Sequence, residues 1–448
     1  ADERARLASH FTDLDGPVCA LTDLPEVVKG ALFARYSRSP KSLRRLWLDE
    51  FGGSVAPAGA HAAVDTRRAE QLYERMLVEY GDDSVAQLGG VHLAVEGASN
   101  ILTKVLEWGR LMAYLEQSTR YVPYDDRPGG RWRYHVPAEL EEALRDRYVT
   151  TLDAAFSTYA AWLPRVRELY AAKFPRAEGD AESAYRMTIR AKALDTLRGL
   201  LPAATISNVG IYGTAQSYEQ LLLRMRAHPL AEVRACADSM LRELRKVIPA
   251  FLRRVDAPDR GVVWSAYLAE TRAAVAEAAR GVLAGARPES RDEVTLTEFD
   301  PESEVKVVAA ARYAASELPD DQLLAAARRL TEAERAAVLE AYVGKRRNRR
   351  HRPGRALERT SYRFDVLADY GAFRDLQRHR LLTLEWQRLT PAHGYVMPEA
   401  VVEAGAAEDF RRVMDEAAAL HDAIAAVGLP DVAAHAMQLA RAAGELTV

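Results

Sequence analysis

Ser118 and Arg120 stand at a spacing that could place a hydroxyl and a guanidinium on one anion. They belong to the run Glu116-Gln117-Ser118-Thr119-Arg120-Tyr121, which is followed by Val122-Pro123. A residue before proline disfavours the helical region, so the run should lie where a helix gives way to extended chain. Donors of these two types bind phosphate oxygens well. The alternative is a Glu116–Arg120 helix pair, which stabilises by only about 0.3–0.5 kcal/mol.

A second group of cations brackets a long uncharged stretch. Arg198-Gly199-Leu200-Leu201-Pro202 begins it and Arg224 follows it, with Glu219 as the one charge between the two arginines. Burying an arginine without a partner is costly, so a bound anion or a carboxylate is expected nearby. The alternative is that Arg224 pairs structurally with Glu219 or Glu232.

Two further cationic groups lie towards the C-terminus. Arg378-His379-Arg380 would fan out over more than half of a helix circumference, so only one or two of these side chains can face a common ligand. The run from Lys345 to Arg352, continued by Arg355, is typical of a solvated loop. It is also a plausible footprint for nucleic acid, although no aromatic residue alternates with its arginines.

Composition excludes several classes of protein. The 448 residues carry 61 basic and 64 acidic side chains, so a net charge of −3 gives no global attraction for nucleic acid or anionic membranes. Two cysteines exclude a disulfide framework and a four-cysteine zinc site. The N-terminus lacks a secretory pattern, and the uncharged stretch 199–218 is a poor membrane span. We therefore expect a soluble, cytoplasmic protein.

The motifs that are missing also restrict the chemistry. The sequence has no Walker-type loop, no glycine-rich dinucleotide fingerprint and no paired-histidine zinc helix. No nucleophile stands beside a plausible base. If the protein is an enzyme, a cofactor should supply the reactive group, and we expect no metal.

Apolar periodicity predicts a helix-rich α+β fold. Breaks are expected at 124–132, 174–180 and 286–292, where proline, glycine or charge accumulates. The helix over 98–115 should place its apolar face on Ile101, Leu102, Val105, Met112 and Ala113. The predicted helices are 98–115, 140–174, 220–252, 264–283 and 406–424, and the predicted strands are 262–264, 294–299 and 362–367.

An internal repeat predicts a duplication. Residues 33–37 recur at 310–314, a displacement of 277, and residues 106–111 recur at 376–381, a displacement of 270. The prediction is two tandem copies, 1–285 and a shorter, diverged 286–448, that form a pseudo-dimer. Adding 270 to Arg198 or Arg224 passes Val448, so the second copy is expected to lack the segment that carries these arginines.

The sequence resembles the flavin-dependent thymidylate synthases, the family of the thymidylate synthase-complementing protein. Its signature is Arg-His-Arg, seven residues, Ser, any residue, Arg and Tyr, followed later by Arg-x-x-Leu-Pro and a further arginine before an acidic helix. The matches, in order, are Arg110, Glu116, Gln117, Ser118, Arg120, Tyr121, Arg198 to Pro202, Arg224, Glu232 and Arg234.

The departures from the signature divide between the copies. Trp108 and Gly109 replace Arg-His in the first copy, whereas the second restores the triplet as Arg378-His379-Arg380. In that second copy, Arg388 stands where the serine belongs. The upstream Glu-His is Gln87-Leu88 in the first copy and corresponds to Glu358-Arg359 in the second. Each copy has kept a different half of the signature.

What the resemblance implies is reductive methylation of deoxyuridylate (dUMP) to thymidylate (dTMP). Methylenetetrahydrofolate would give the carbon, and FAD reduced by NADPH would give the hydride. Family sites lie between the subunits of a homotetramer, so a dimer of tandem chains would rebuild a pseudo-tetramer. A homologue that has lost catalysis but retains nucleotide or flavin binding, or a structural role, is the alternative.

The resemblance also assigns roles to residues. Ser118, Arg120 and Arg198 would hold the nucleotide phosphate. Arg224 and Ser118 would be catalytic, with Arg224 polarising the uracil ring. The implied substrate-binding residues are Arg110, Glu116, Gln117, Ser118, Arg120, Tyr121, Arg198 and Arg224, and the implied FAD contacts are Ser84, Arg378, His379 and Arg380.

Overall fold

The chain folds into two compact units, each built from more than one segment. The computed structural model describes residues 2–37, 39–51, 87–283, 285–286, 289, 292–440 and 442–447. The first unit comprises Ala1–Arg287, Asp369–Leu381 and Leu389–Arg441, and the second comprises Pro288–Ala368, Leu382–Arg388 and Ala442–Val448. Compact units and sequence copies are different divisions, so the copy boundary after residue 285 stays a prediction.

Helices dominate both units, as the periodicity predicts. In chain order they are α1 (Asp2–Ala8), α2 (Glu26–Tyr36), α3 (Leu43–Leu46), α4 (Asn100–Leu106), α5 (Glu142–Lys173), α6 (Glu182–Leu197), α7 (Ala215–Arg226), α8 (Ala231–Leu244), α9 (Gly261–Val282), α10 (Ser303–Tyr313), α11 (Asp320–Arg329), α12 (Glu332–Val343), α13 (Tyr370–Leu376), α14 (Glu399–Glu403), α15 (Ala407–Ala426) and α16 (Pro430–Ala433). Short 3₁₀ turns include Arg198–Leu200 and Ala434–Ala436.

Three of the predicted helices are confirmed nearly to their ends. These are α5, α9 and α15, which match 140–174, 264–283 and 406–424. The predicted helix over 220–252 is broken, because Pro229 disfavours helical backbone at His228 and separates α7 from α8. The breaks at 124–132 and 174–180 are confirmed as connections, and the break at 286–292 lies partly outside the described residues.

The strands form one sheet in each unit. In chain order they are β1 (Gly90–Ser99), β2 (Met112–Glu116), β3 (Ile206–Thr214), β4 (Val294–Phe299), β5 (Tyr362–Asp369), β6 (Glu385–Trp386) and β7 (Ala442–Thr447). The described strands of the first unit are ordered β1-β3-β2, all antiparallel, and those of the second are ordered β4-β5-β7-β6. Without β4, the second sheet has the order β5-β7-β6. Its first strand in the chain pairs with its third, and the third pairs with the second, as in β1-β3-β2.

The strand predictions have mixed outcomes. Those at 294–299 and 362–367 are confirmed by β4 and β5, but the one at 262–264 is wrong because these residues begin α9. The helix predicted over 98–115 is also wrong beyond Leu106. Met112 and Ala113 lie on β2, where they pair with Gly213 and Tyr212 of β3. A strand, not a helix, leads into Glu116.

Helices α4 and α13 repeat the 270-residue spacing and pack against each other. Their N-caps are Ser99 and Asp369, and each accepts a hydrogen bond from a backbone N–H of the first turn. The Tyr370 hydroxyl donates to the carbonyl of Asn100 at 3.0 Å, exactly 270 residues away in sequence. The Gln377 amide donates to the carbonyl of Lys104 at 2.8 Å. These two matching helices thus meet inside the first unit.

A spacing of 236 residues separates the turn at Arg198 from a later turn of the same type. The 3₁₀ turn Ala434–Ala436 starts 236 residues after the turn Arg198–Leu200. An antiparallel bridge then joins Pro202 to Gln438, again 236 residues apart. Under the predicted duplication, residues 434–438 would correspond to 198–202 and Ala434 to Arg198, and this correspondence stays a prediction.

Both units have their own buried core. The large side chains buried in the first unit include Tyr148, Phe156 and Tyr159 of α5 and Tyr218 of α7. The second unit packs a smaller core of helices α10 and α11. Among the described residues, no helix combines the length and apolarity that crossing a bilayer requires. Cys19 and Cys236 are free thiols.

Candidate functional site

Charged side chains from three segments of the first unit meet in what we call the anion cluster. The loop after β2 supplies one part of it, the end of α6 with the following 3₁₀ turn supplies a second, and the end of α13 supplies a third. The cluster consists of Ser118, Arg120, Asp195, Arg198, Asp375 and Arg378.

Two guanidiniums of the anion cluster converge on one carboxylate oxygen. Asp195 Oδ1 lies 3.1 Å from Arg120 Nε and 3.0 Å from Arg198 Nε. Asp375 accepts at its two oxygens, from Arg120 Nη2 at 2.7 Å and from Arg378 Nη1 at 2.9 Å. The structure thus brings together two of the arginines that the sequence points to for phosphate binding, Arg120 and Arg198.

Ser118 precedes Arg120 by two residues and contacts its backbone. Its Oγ accepts a hydrogen bond from the backbone N–H of Arg120 at 3.2 Å. Neither Glu116 nor Arg120 pairs with the other, so the helix-pair alternative is wrong. Glu116 instead contacts Lys104 and Arg374.

The anion cluster has an excess of positive charge. It contains three guanidiniums and two carboxylates, so its net charge is +1. Burial lowers the pKa of Arg198, whereas the charge of Asp195 acts in the opposite direction. A buried guanidinium with a lowered pKa is stabilised by an additional anion, because its charged form is the form that burial disfavours.

A close approach at Gly371 allows Arg198 to reach this position. A Cβ atom at Gly371 would lie 3.3 Å from Arg198 Nη2 and 2.9 Å from Asp369 Oδ1. Gly371 lies in the first turn of α13, and its backbone N–H donates to the carbonyl of Leu439 at 3.2 Å. Any larger residue would push Arg198 away from α13.

A second group of side chains, which we call the tyrosine cluster, lies around Tyr114 of β2. Arg224 Cζ lies 4.1 Å from the centre of the Trp108 ring, and Arg380 Cζ lies 5.3 Å from the centre of the Tyr114 ring. Cation–π contacts of this kind favour a guanidinium over an aromatic face. Arg224 from α7 and Arg380 from the turn after α13 thus approach neighbouring aromatic rings.

Burial sets the protonation of the tyrosine cluster. It raises the pKa of Tyr114 to about 12, although the Gly109 N–H and the nearby arginines act in the opposite direction. The same cause lowers the pKa of Arg224, and Tyr114 opposes this shift. Tyr114 therefore stays a neutral phenol at physiological pH. Its Oη accepts from the backbone N–H of Gly109 at 3.1 Å.

Gly109 stands where the Arg-His-Arg signature has its histidine, and Tyr114 leaves no room for a larger side chain there. A Cβ at this position would lie only 2.6 Å from Tyr114 Oη. A histidine at residue 109 would therefore have to displace Tyr114. The signature histidine and the present tyrosine position exclude each other.

The alternative prediction, that Arg224 forms a structural ion pair with Glu219 or Glu232, is wrong. Glu219 pairs with Arg254, whose Nε and Nη2 lie 3.0 and 2.7 Å from its two oxygens. Glu232 instead accepts hydrogen bonds from the backbone and side chain of Ser99. Arg224 thus stacks on Trp108 and pairs with neither carboxylate.

Glu116 belongs to a buried ion cluster. Its oxygens lie 2.9 Å from Arg374 Nη2 and 3.2 Å from Lys104 Nζ, and its side chain is 2% exposed. Lys104 also pairs with Glu107, so two cations balance two carboxylates. Burial would raise the pKa of Glu116, but the two cations hold it below its usual value. These contacts suit a structural role, and the substrate-binding role that the resemblance implies stays a prediction.

The other residues that the resemblance singles out lie around these clusters. Gln117 joins β3 through its backbone, donating to the carbonyl of Asn208 at 2.8 Å. Tyr121 exposes its ring, and its carbonyl accepts from Arg190 at 3.3 Å. Arg110 and His379 are exposed. Ser84 lies outside the described residues.

The arginine run around residue 350 lies in the second unit. Residues 345–350 are exposed there, as the solvated-loop interpretation predicts. Arg355 forms an exposed ion pair with Glu358 at 2.9 Å. Nucleic-acid binding by this run stays a prediction.

Two carboxylates that are not part of the family signature organise the anion cluster. Asp195 precedes Arg198 by three residues, and Asp375 precedes Arg378 by three. That spacing is typical of ion pairs along a helix and would have indicated both contacts. The meeting of Arg120 with these two aspartates, 75 and 255 residues away, carries no local signal.

Comparison with known families places the chain among proteins with this signature. A model of the family "Thymidylate synthase complementing protein" matches residues 33–250 and 295–443. The chain belongs to this family. The two separately matched segments of the thymidylate synthase complementing protein family are compatible with the predicted duplication.

Its relatives carry two kinds of name. A "UPF0159 protein" of Chlamydia muridarum is 37% identical over 447 residues, which cover 98% of this chain and 84% of that protein. A "Flavin-dependent thymidylate synthase" of Mycobacterium sp. (strain JLS) is 30% identical over 182 residues, covering 40% of this chain and 67% of that protein. The relative with the longer match thus bears a name without an activity.

A solved structure matches about half of the chain. The flavin-dependent thymidylate synthase of Helicobacter pylori, complexed with FAD and dUMP, is 13% identical. The match covers 51% of this chain and 94% of that chain, with a TM-score of 0.28.

Proposed function

We propose that the protein is a flavin-dependent thymidylate synthase that methylates dUMP to dTMP. The observation that carries the proposal is the convergence of Arg120 and Arg198 on one oxygen of Asp195, with Ser118 bonded to the backbone N–H of Arg120. A phosphate group could take the place of this carboxylate, because guanidinium groups bind phosphate through parallel hydrogen bonds. The net charge of +1 in the anion cluster favours binding of a nucleotide phosphate there.

Arg224 is suited to the uracil ring of the same nucleotide. Its guanidinium is largely withdrawn from solvent and lies over an aromatic ring, that of Trp108, at 4.1 Å from the ring centre. A base could be bound by the same stacking and by hydrogen bonds to a ring carbonyl. A guanidinium fixed in a dry site stabilises negative charge that develops on such an oxygen.

The turn after α13 offers donors for FAD. Arg378 and Arg380 lie two residues apart, one in the anion cluster and one in the tyrosine cluster. Two guanidiniums on one turn fit the pyrophosphate of a dinucleotide, and the exposed His379 between them can add a contact. Reduced FAD supplies a hydride when it is bound, with NADPH as its reductant and methylenetetrahydrofolate as the carbon donor.

The proposal includes a duplicated chain whose halves complement each other. The 270-residue spacing of α4 and α13 and the repeated strand order support it. Arg378 and Arg380 come from the predicted second copy, and Arg120, Arg198 and Arg224 come from the first. A dimer of such chains would rebuild the pseudo-tetramer that the family resemblance implies.

One observation favours a second candidate, a homologue that binds nucleotide or flavin without catalysis. The Trp108 indole covers the face of Arg224 that the proposal assigns to uracil. Trp108 must therefore move aside for a base to bind. It is 43% exposed, which leaves its side chain room to do so. If it does not move, phosphate binding persists without the chemistry.

Two measurements decide between these functions. The first is visible absorbance after incubation with FAD and desalting, which should show bound flavin. The second is tritium release from dUMP labelled at C5, with methylenetetrahydrofolate and NADPH present. Both signals together support the synthase. Binding of dUMP or FAD without tritium release supports the second candidate. Absence of flavin uptake contradicts the synthase, and absence of both dUMP and FAD binding contradicts both candidates.

Matched variants separate the roles of the arginines. Arg224→Ala should abolish tritium release and leave the chain folded, because Arg224 pairs with neither Glu219 nor Glu232 and its loss leaves neither carboxylate without its partner. Arg186→Ala is the control, since Arg186 is exposed on α6 and pairs with Glu182. Unfolding of the Arg224 variant would indicate a structural role instead.

A further inference from the structure

Two histidines and a glutamate come together away from the anion cluster and the tyrosine cluster. His135 follows the loop after β2, Glu232 lies in the first turn of α8, and His435 lies in the 3₁₀ turn Ala434–Ala436. One ligand atom from each lies within 4.8 Å of the other two, and among the described residues three such side chains meet only here. All three belong to the first unit.

The hydrogen bonds of His435 leave a lone pair facing a carboxylate. Its Nδ1 lies 3.1 Å from the carbonyl oxygen of Val432, and a carbonyl only accepts, so Nδ1 carries the proton. Its Nε2 lies 3.1 Å from Glu232 Oε2. In a neutral imidazole both of these atoms are acceptors. A proton or a metal ion must therefore lie between them.

Hydrogen bonds hold the Glu232 carboxylate in place, as they do for carboxylates that bind metals. Its Oε1 accepts from the Ser99 backbone N–H at 2.9 Å, and its Oε2 accepts from the Ser99 hydroxyl at 2.7 Å. The bond from His435 Nδ1 to Val432 fixes the ring in the same manner. Partners of this type orient ligands and set the histidine tautomer. Both residues are almost fully buried, with side chains 8% and 1% exposed.

His135, the third side chain, lies at a distance from Glu232 that is suitable for binding the same metal ion. His135 Nε2 lies 3.8 Å from Glu232 Oε2, and the two histidine rings have centroids 5.5 Å apart. Zinc bonds of about 2.0–2.2 Å in a tetrahedral site place ligand atoms about 3.4 Å from one another. The observed separations of 3.1 and 3.8 Å bracket this value.

A cavity of about 380 Å³ adjoins this group. Strand β1 and helix α8 form much of its wall, and His135 and Glu232 both line it. Glu96 and Glu243 add two more carboxylates to the lining. Three protein ligands leave one position of a tetrahedral ion free, and a free position is typical of zinc sites that bind or activate a small molecule.

We propose that His135, Glu232 and His435 bind one divalent transition-metal ion of the zinc class, whose open position faces the cavity. The ion takes the place of the shared proton between His435 and Glu232. Its fourth ligand is water or an oxygen donor of a small molecule in the cavity. The site is independent of the proposed synthase activity, because it uses none of the arginines of the other two clusters.

Metal titration of the full chain tests this site. The protein is first stripped with a chelator and then titrated with Co²⁺, which reports tetrahedral binding by visible absorbance, and with Zn²⁺ in competition. We expect one equivalent per chain. His435→Gln and Glu232→Gln should each weaken binding by about 100-fold or more, since loss even of an outer partner commonly weakens a site 10- to 100-fold.

Control variants make the result specific. His421→Gln removes another buried histidine, whose Nδ1 contacts Asp422, and Cys236→Ser changes a neighbour of the same cavity. Both should bind Co²⁺ as the unsubstituted chain does. If His435→Gln fails to fold, His135→Gln serves, because its side chain is 24% exposed. No stoichiometric binding, or equal binding by the ligand variants, overturns the proposal and leaves a proton between the two residues.

Discussion

Replacing Glu116 by glutamine removes a charge from a place where it contacts two cations. The side chain is 2% exposed, and its oxygens lie 2.9 Å from Arg374 and 3.2 Å from Lys104. Breaking a buried ion pair costs about 3–5 kcal/mol, because the remaining charge stays buried without its partner. Glu107 still pairs with Lys104, so Arg374 alone loses its partner. We expect a loss of about 3 kcal/mol in the free energy of unfolding.

Urea unfolding followed by circular dichroism measures this loss. Asp238→Asn is the control, because Asp238 is 62% exposed and pairs with Arg226, and such a surface pair contributes at most about 1 kcal/mol. Glu116→Gln combined with Arg374→Met should recover part of the stability, since no buried charge is then left unpaired. Unchanged stability together with weaker dUMP binding would refute this reasoning and make Glu116 a substrate ligand.

Arg198→Ala should weaken dUMP binding about 10- to 150-fold, because a hydrogen bond to a charged group contributes about 1.5–3 kcal/mol, and calorimetry against Arg186→Ala checks this. Glu116 and Glu232 have lowered pKa values in the folded chain, so their stabilisation is complete above the usual value of 4.5 and is lost as the pH falls through the lowered values. Urea midpoints measured from about pH 7 down to pH 3 should therefore fall below pH 4.5, and a flat profile would contradict this. Burial raises the pKa of Cys236 from 9.0 to about 12, so its alkylation at pH 8 should be about 1000-fold slower in the folded chain than in urea, and equal rates by peptide mass analysis would show an exposed thiol.

The long helices could be predicted from the sequence because their apolar residues recur at helical spacing over many turns. Helix α5 shows this over 32 residues, with Leu152, Tyr159 and Val166 buried one above the other. Strands β1 and β3 were missed for the opposite reason. Gly210 and Gly213 weaken the strand signal of β3, and a bulge between Val95 and Ala98 interrupts the alternation in β1.

The candidate site was predictable only in part. Ser118, Arg120 and Arg198 could be found because they match a family signature, and Asp195 could have been found from its helical spacing to Arg198. His435 could not, because it meets Glu232 across 203 residues, and a lone histidine in sequence indicates nothing about its partners. Long-range pairs of this kind depend on how α8 and the 3₁₀ turn at 434–436 pack, which no local pattern specifies.

Because α4 and α13 meet within one polypeptide, a substitution alters only one side of their contact. In a twofold-symmetric dimer every substitution is made on both sides at once, so a lysine at the axis confronts its own duplicate. Here Asn100 faces Tyr370, and the carbonyl of Lys104 accepts from Gln377. Covalent linkage thus frees the two sides to mutate separately, and one face can acquire a new ligand while the other keeps its old one.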